Sequence, residues 1–66
     1  MSVHKNIARI RRERGLTQEQ LAKATGFSES YISAIEEGRG HPRARTLEVI
    51  ARCLGVEMEE LLSEQS

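Results

Sequence analysis

Residues 16–38 decide the fold, and they read LTQEQLAKATGFSESYISAIEEG. Within them, Thr17 followed three residues later by Gln20 is the pattern of a capping box, in which each side chain accepts a hydrogen bond from the backbone N–H of the other residue. The pattern predicts a helix that begins at Thr17 and runs to Thr25, where Gly26 closes it.

A second helix follows after only three residues. Ser28 has the side chain of a helix cap, and the apolar residues behind it, Tyr31 or Ile32 together with Ile35, predict a buried stripe. A connection this short is too tight for antiparallel packing, so the second helix must cross the first steeply. We therefore predict a helix-turn-helix over about residues 17–37.

Apolar residues at helical spacing predict three more helices around this motif. The first of them runs from about Val3 to Arg14 and ends at Gly15. No segment alternates apolar and polar residues as a strand does, so the fold class is all-α with five helices. The residues that carry the spacing are Val3, Ile7 and Ile10 in the first helix, Leu47, Ile50, Ala51 and Leu54 in the fourth, and Val56, Met58, Leu61 and Leu62 in a short fifth.

The size and composition of the chain narrow the function. Sixty-six residues suffice for one compact domain, residues 1–66, and leave no area for a second core. Apolar runs of two or three residues are far below the roughly 20 that cross a bilayer, so we expect a soluble, cytoplasmic protein without a membrane partner. The lone Cys53, with His4 and His41, predicts neither a disulfide nor a metal site. No nucleophile stands beside a base, so we expect no enzymatic activity and no cofactor.

Charge is divided along the chain. Residues 1–45 carry nine lysines and arginines against five glutamates, a balance of +4, whereas residues 46–66 carry one arginine against five glutamates, a balance of −4. A basic part beside an acidic part favours a polyanion such as nucleic acid as the partner of the basic part.

Taken together, these motifs resemble the Xre family, the helix-turn-helix regulators of the lambda repressor and Cro type. The resemblance implies a compact five-helix, lambda-repressor-like domain whose third helix enters the major groove of double-stranded DNA. It also implies a bacterial or phage transcriptional regulator, usually a repressor, that acts as a homodimer on a two-fold operator. The match covers nearly the whole chain, in residues 7–11, 16–22, 26–28, 31–33, 35–38, 47–51 and 54–56.

The resemblance further implies which side chains meet the DNA. Those that would face base edges are Glu29, Ser30, Ser33 and Ala34. Those that would contact the sugar-phosphate backbone are Gln18, Tyr31, Arg39, His41 and Arg43. Tyr31 has a second interpretation, in which its ring belongs to the core. Serine is short enough for a close approach to base edges, and arginine offers phosphate a forked donor.

Three residues depart from the family pattern. Glu29 stands where relatives often carry glutamine or arginine, so it either accepts from a cytosine N4 amine or lies outside the groove. Thr25 replaces an aliphatic residue, and Arg43 replaces a serine that caps the fourth helix. These departures affect local packing rather than the fold.

Two further residues match a structural pair of the family. Arg11 in the first helix would form an ion pair with Glu36 at the end of the third. The alternative is that Arg11 contacts a phosphate.

An apolar face of the fourth helix predicts a homodimer contact. Val49 and Cys53 lie one turn apart on a face that the core stripe leaves unused, and Leu62 would extend that patch. Two alternatives stay open: scattered apolar residues on the surface, and a Cys53 that is buried as a small apolar group.

A second class of function is a protein-interaction module, such as an antitoxin that masks a toxin or a factor that contacts the transcription machinery. Its contact surface would be the acidic end of the chain, formed by Glu57, Glu59, Glu60 and Glu64.

Overall fold

The computed structural model describes residues 2–63, and within that range the chain forms five α-helices and no strand. The prediction of an all-α, five-helix fold is confirmed. The first helix ends one residue earlier than predicted, and Thr17 caps the second rather than belonging to it. The helices are α1 (Val3–Glu13), α2 (Gln18–Thr25), α3 (Glu29–Glu36), α4 (Ala44–Leu54) and α5 (Met58–Leu62).

The start of α2 has the predicted capping box. Thr17 Oγ1 accepts from the Gln20 backbone N–H at 3.0 Å, and Gln20 Oε1 accepts from the Thr17 N–H at 2.8 Å. At the other end, Gly26 takes a φ of +83°, a left-handed conformation in which a Cβ would be strained. Ser28 then caps α3, accepting from the Tyr31 N–H at 3.1 Å. The capping box at Thr17, the left-handed Gly26 and the cap at Ser28 thus fix the ends of α2 and the start of α3.

The core draws one fully buried aliphatic side chain from every helix. Full burial of a leucine or isoleucine side chain contributes about 1.5–3 kcal/mol, so these five positions account for much of the driving force. The five, each 0% exposed, are Ile7 in α1, Leu21 in α2, Ile32 in α3, Ile50 in α4 and Leu61 in α5.

The structure resolves which face of α3 is buried. Ile32 and Ile35 are in the core, whereas Tyr31 is 39% exposed, so the interpretation of Tyr31 as a core residue is wrong. Its ring packs edge-on against Phe27, with centroids 5.2 Å apart, and its hydroxyl lies 3.4 Å from Thr46 Oγ1. Leu62, one of the residues that predicted α5, is 51% exposed.

A buried amide joins the first helix to the last. Asn6 Nδ2 donates to the carbonyl oxygens of Leu61 and Ser63, each at 2.8 Å, and so supplies donors to the end of α5. The Asn6 side chain is buried, and its Oδ1 has no hydrogen-bond partner among the described residues. Hydrophobic periodicity could not predict this contact, because the partners are more than fifty positions apart and the acceptors are backbone atoms.

Between residues 2 and 63, none of the helices is both long and apolar enough to cross a membrane.

Candidate nucleic-acid interface

The outer face of α3 is polar and its side chains are short. Ile32 and Ile35 point into the core, which turns Glu29, Ser30 and Ser33 to the opposite side, where Ser33 lies three and four residues from the other two, the spacing of a helix face. Glu29 and Ser30 are exposed and Ser33 is half-buried. Within residues 2–63, neither Glu29 nor Ser30 has a side-chain hydrogen-bond or ion-pair partner. A helix face of this kind can approach a flat polar surface closely.

Five of the predicted site residues line one open cavity of about 310 Å³, at the start of α2 and along α3. They come from three segments: α2, α3 and the loop that follows α3. We call this cavity the α3 groove, and the residues that line it are Gln18, Glu29, Ser30, Ser33 and Arg39. The fold therefore brings three of the four predicted base-reading residues together with two of the predicted backbone contacts.

Ala34, the fourth predicted base-reading residue, does not line the α3 groove. It is half-buried, and its carbonyl oxygen accepts from the Arg39 backbone N–H at 3.0 Å, while the Gly38 N–H donates to Ile35 O at 3.1 Å. These two bonds close the last turn of α3 and start the loop that carries Arg39.

A buried ion pair lies directly behind the α3 groove. Arg11 donates to Glu36 through Nε at 2.7 Å and Nη2 at 3.1 Å, and the two side chains are only 9% and 4% exposed. Arg11 Nη1 also donates to the Leu16 carbonyl at 2.7 Å, and Gln18 Nε2 donates to Glu36 Oε1 at 3.0 Å. The predicted structural pair is therefore present, and it also fixes the side chain of Gln18 at the edge of the groove.

A second glutamate, Glu37, forms hydrogen bonds with two of the residues that line the α3 groove. The carboxylate of Glu37 accepts from Ser33 Oγ at 3.1 Å through Oε2, and from Arg39 Nε at 2.8 Å through Oε1. Glu37 was not among the site residues predicted from the sequence. The four-residue spacing from Ser33 is the signal that could have found it.

The other predicted backbone contacts lie beside the groove rather than in it. Tyr31 has its hydroxyl near Thr46 on α4. His41 is exposed and lines a separate cavity of about 390 Å³ that also includes His4 and Pro42. Although the two histidines share this cavity, residues 2–63 contain no group of three or more His, Cys, Asp or Glu side chains placed to hold a metal ion.

Arg43 takes the N-cap position of α4 with extended backbone, and its side chain makes no capping hydrogen bond. Arg43 and its exposed neighbour Arg45 form no ion pair within the described part of the chain. Both guanidinium groups are thus available to an outside anion, and Arg45 is a candidate residue that was not predicted from the sequence.

The departure from the family pattern at Thr25 has a structural explanation. Thr25 Oγ1 lies 2.9 and 3.0 Å from the carbonyl oxygens of Leu21 and Ala22, which share its one hydrogen, and it accepts from the Phe27 N–H at 3.3 Å. The hydroxyl thereby gives the turn between α2 and α3 a polar clamp where an aliphatic side chain would only pack.

The predicted dimer residues are only partly accessible. Val49 and Cys53 on α4 are half-buried, and Leu62 on α5 is exposed. Cys53 packs against the core, and its thiol donates to the Ala24 carbonyl at 3.3 Å, which ties α4 to α2.

A family model described as "Helix-turn-helix" matches residues 7–61 of this sequence. The chain belongs to this family. The match runs from the buried Ile7 within α1 to the buried Leu61 within α5, so it includes the buried aliphatic core that the structure shows. The resemblance to Xre-type regulators is confirmed.

Similar family members include bacterial and phage regulators. The chain is 48% identical over 61 residues to an HTH-type transcriptional regulator, y4dJ, of Sinorhizobium fredii, covering 92% of this chain and 79% of that protein. It is 41% identical over 66 residues to the immunity repressor protein of Bacillus phage phi105. There it covers 100% of this chain but only 46% of the repressor's length.

Solved structures of family members have the same fold. One is the restriction-modification controller protein C.AhdI from Aeromonas hydrophila, with a TM-score of 0.87, 29% identity and 89% of each chain covered. Another is the master regulator for biofilm formation, SinR, in complex with DNA. Its TM-score is 0.87 at 31% identity, over 92% of this chain and 98% of that one.

Proposed function

We propose that this chain is a sequence-specific transcriptional regulator that binds double-stranded DNA in the cytoplasm by inserting α3 into the major groove. The observation that carries the proposal is the α3 groove, where short polar side chains of α3 stand beside an arginine on the face opposite the core. Family members named as repressors, and a related structure solved in complex with DNA, support it.

Roles follow from the chemistry of each side chain. Ser30 and Ser33 are short enough to let α3 approach base edges, and Glu29 is an acceptor suited to the N4 amine of cytosine. Ala34 is half-buried and does not line the α3 groove, so the contact proposed for it is only that of its methyl group with a base beside the groove. These residues would read the sequence.

The remaining candidates would hold the DNA. Gln18 Nε2 donates one hydrogen to Glu36 and keeps the second for a phosphate at the start of α2, where the helix N-terminus favours an anion. Arg39, Arg43 and His41 lie in or next to the loop after α3, and Tyr31 adds a hydroxyl. Such contacts set position and affinity without reading bases.

The proposed assembly is a homodimer that places two copies of α3 on one side of the duplex. Val49, Cys53 and Leu62 are the candidate contact. The half-sites should then lie about 10–11 base pairs apart, one turn of B-DNA. By analogy with the phage immunity repressor, the proposed effect is repression by occupying a promoter.

A salt titration tests this proposal. With three or four phosphate contacts per half-site, log K plotted against log salt should fall with a slope of about −5 to −7 on a site enriched from random duplexes. Arg43→Ala removes one phosphate contact from each protomer of the proposed dimer, so it should make the slope shallower by about two and weaken all sites alike. The matched control is Arg52→Ala, which removes an exposed arginine that lies with Glu48 and Glu57 around a different cavity. A slope near zero for the parent protein would contradict DNA binding.

The alternative function, a protein-interaction module, has one supporting observation. A structure of the SinR protein with the SinI protein matches with a TM-score of 0.87 and 32% identity, over 94% of this chain and 61% of that one. The acidic end offers less support. Glu60 accepts from the Glu57 N–H at 3.2 Å and so serves the start of α5, and Glu64 lies outside the described residues. If the partner is instead a toxin or part of the transcription machinery, this chain should bind that partner protein and should show no salt-dependent binding to DNA.

A further inference from the structure

The hydrogen bond between Ser33 and Glu37 has only one possible direction. An ionised carboxylate has no hydrogen to donate, so the Ser33 hydroxyl must be the donor across the 3.1 Å to Glu37 Oε2. A serine hydroxyl carries one hydrogen and two lone pairs. Once its hydrogen is directed at Glu37, Ser33 offers only lone pairs to anything else that enters the α3 groove.

Glu37 is itself held in place from the other side. Its second oxygen accepts from Arg39 Nε at 2.8 Å, so the carboxylate bridges the end of α3 and the loop. Arginine has five N–H donors, and those on its terminal nitrogens remain available to a phosphate. The bridge therefore orients Ser33 without removing Arg39 from DNA binding.

From this geometry we infer that Glu37 determines sequence preference indirectly, by making Ser33 an acceptor, so that the base facing Ser33 must present an exocyclic amine. In the major groove only adenine, through N6, and cytosine, through N4, offer such a donor. Guanine and thymine present acceptors there, which would face the lone pairs of Ser33. The inference rests on the proposed function. It assigns to Glu37, acting through Ser33, the choice of strand on which the amine must lie.

A serine without such a partner would not discriminate in this way. A free hydroxyl rotates, and it donates to guanine or thymine as readily as it accepts from adenine or cytosine. Removing Glu37 should therefore relax the preference while leaving the serine in contact with the base. Removing Ser33 should abolish the contact itself.

The experiment selects duplexes from a randomised library with the full chain and with three variants: Ser33→Ala, Glu37→Ala and the control Glu59→Ala. Glu59 is an exposed glutamate on α5, a helix that packs against α1 and α4, so the control removes the same charge away from the groove. Both members of the Glu37–Arg39 pair are more than half exposed, so Glu37→Ala is expected to fold normally, which circular dichroism checks.

The base pair that faces Ser33 is the one whose preference changes in Ser33→Ala. Binding of the parent protein should depend on which strand of that pair carries the amine. The selected duplexes should have adenine or cytosine on one fixed strand, and inverting the pair should weaken binding by roughly 2- to 10-fold, the value of one hydrogen bond. Glu37→Ala should bind the two orientations within about twofold of each other, and it should bind the inverted duplex more tightly than the parent does. Glu59→Ala should keep the parent's discrimination.

Three results would overturn the inference: equal binding of the two orientations of that pair by the parent protein, full discrimination retained by Glu37→Ala, or no position that responds to Ser33→Ala. If the parent protein enriches no duplex at all, the proposed function fails and the inference falls with it, and that outcome is distinct from the other three.

Discussion

Replacing Arg11 with methionine should remove much of the stability of this protein. The change keeps an unbranched side chain of similar length but deletes the partner of Glu36, whose side chain is only 4% exposed. A buried charge that loses its partner costs about 3–5 kcal/mol. The Leu16 carbonyl loses its donor as well. For 66 residues the whole free energy of unfolding is expected to be about 3–10 kcal/mol, so the variant should melt roughly 10–40 °C below the parent.

Urea and thermal unfolding followed by circular dichroism measure this loss. The chain offers a matched control in Arg9→Met, on the same helix. Arg9 pairs with Glu13 at 3.0 Å, but those side chains are 39% and 58% exposed, so the loss should be below about 1 kcal/mol. The two arginine variants thus differ mainly in burial.

A second variant separates the lost pair from other effects of the substitution. Arg11→Met combined with Glu36→Leu removes both charges, and replacing a buried pair with apolar side chains is often neutral or stabilising. The double variant should therefore be several kcal/mol more stable than Arg11→Met alone. The reasoning is refuted if Arg11→Met behaves like Arg9→Met, or if Glu36→Leu fails to restore stability.

Three other predictions concern single positions. Ile32→Ala should cost about 2–5 kcal/mol, since the side chain is fully buried, and a variant that melts within a few degrees of the parent would contradict that burial. Arg43→Ser should have opposite effects in two assays. A side-chain cap for α4 stabilises the fold by about 0.5–1 kcal/mol in thermal melting, while the loss of one phosphate contact from each protomer makes the salt slope of DNA binding shallower by about two. Gly38→Ala should lower the free energy of unfolding by at least about 1–2 kcal/mol, because the φ of Gly38 is +76° and the added Cβ would lie 3.0 Å from the His4 ring. The control is Gly40→Ala, whose added Cβ would meet nothing within 4 Å. Equal melting temperatures for the two variants would contradict the prediction.

The positions of α2 and α3 could be predicted because residues at or next to their ends determine where each helix begins or stops. Thr17 with Gln20 begins α2, Gly26 ends it, and Ser28 begins α3, and each acts through backbone atoms within four positions. The buried face of α3 was less certain, because successive residues on a helix differ by about 100° in direction and Tyr31 adjoins Ile32. Contacts with other helices decide such a case, and no local pattern contains them.

Some of the residues that form the site could also be predicted, because their spacing along α3 is visible in the sequence. The resemblance names positions on α3, so the residues that share the groove could be anticipated from their spacing. Side-chain partners depend on the fold. The bond from Asn6 to Leu61 joins the two ends of the described chain, whereas Glu37 lies only four residues from Ser33, a spacing that the sequence alone shows.

Two consecutive glutamates at the end of α3 have separate tasks because they point in different directions. Glu36 faces inward, where it neutralises Arg11 and fixes Gln18. Glu37 faces outward, where it is 56% exposed and holds Ser33. A change at Glu36 must therefore be felt first in the free energy of unfolding, since an unpaired buried arginine remains. A change at Glu37 leaves no buried charge without a partner, so its effect belongs to the choice of DNA sequence.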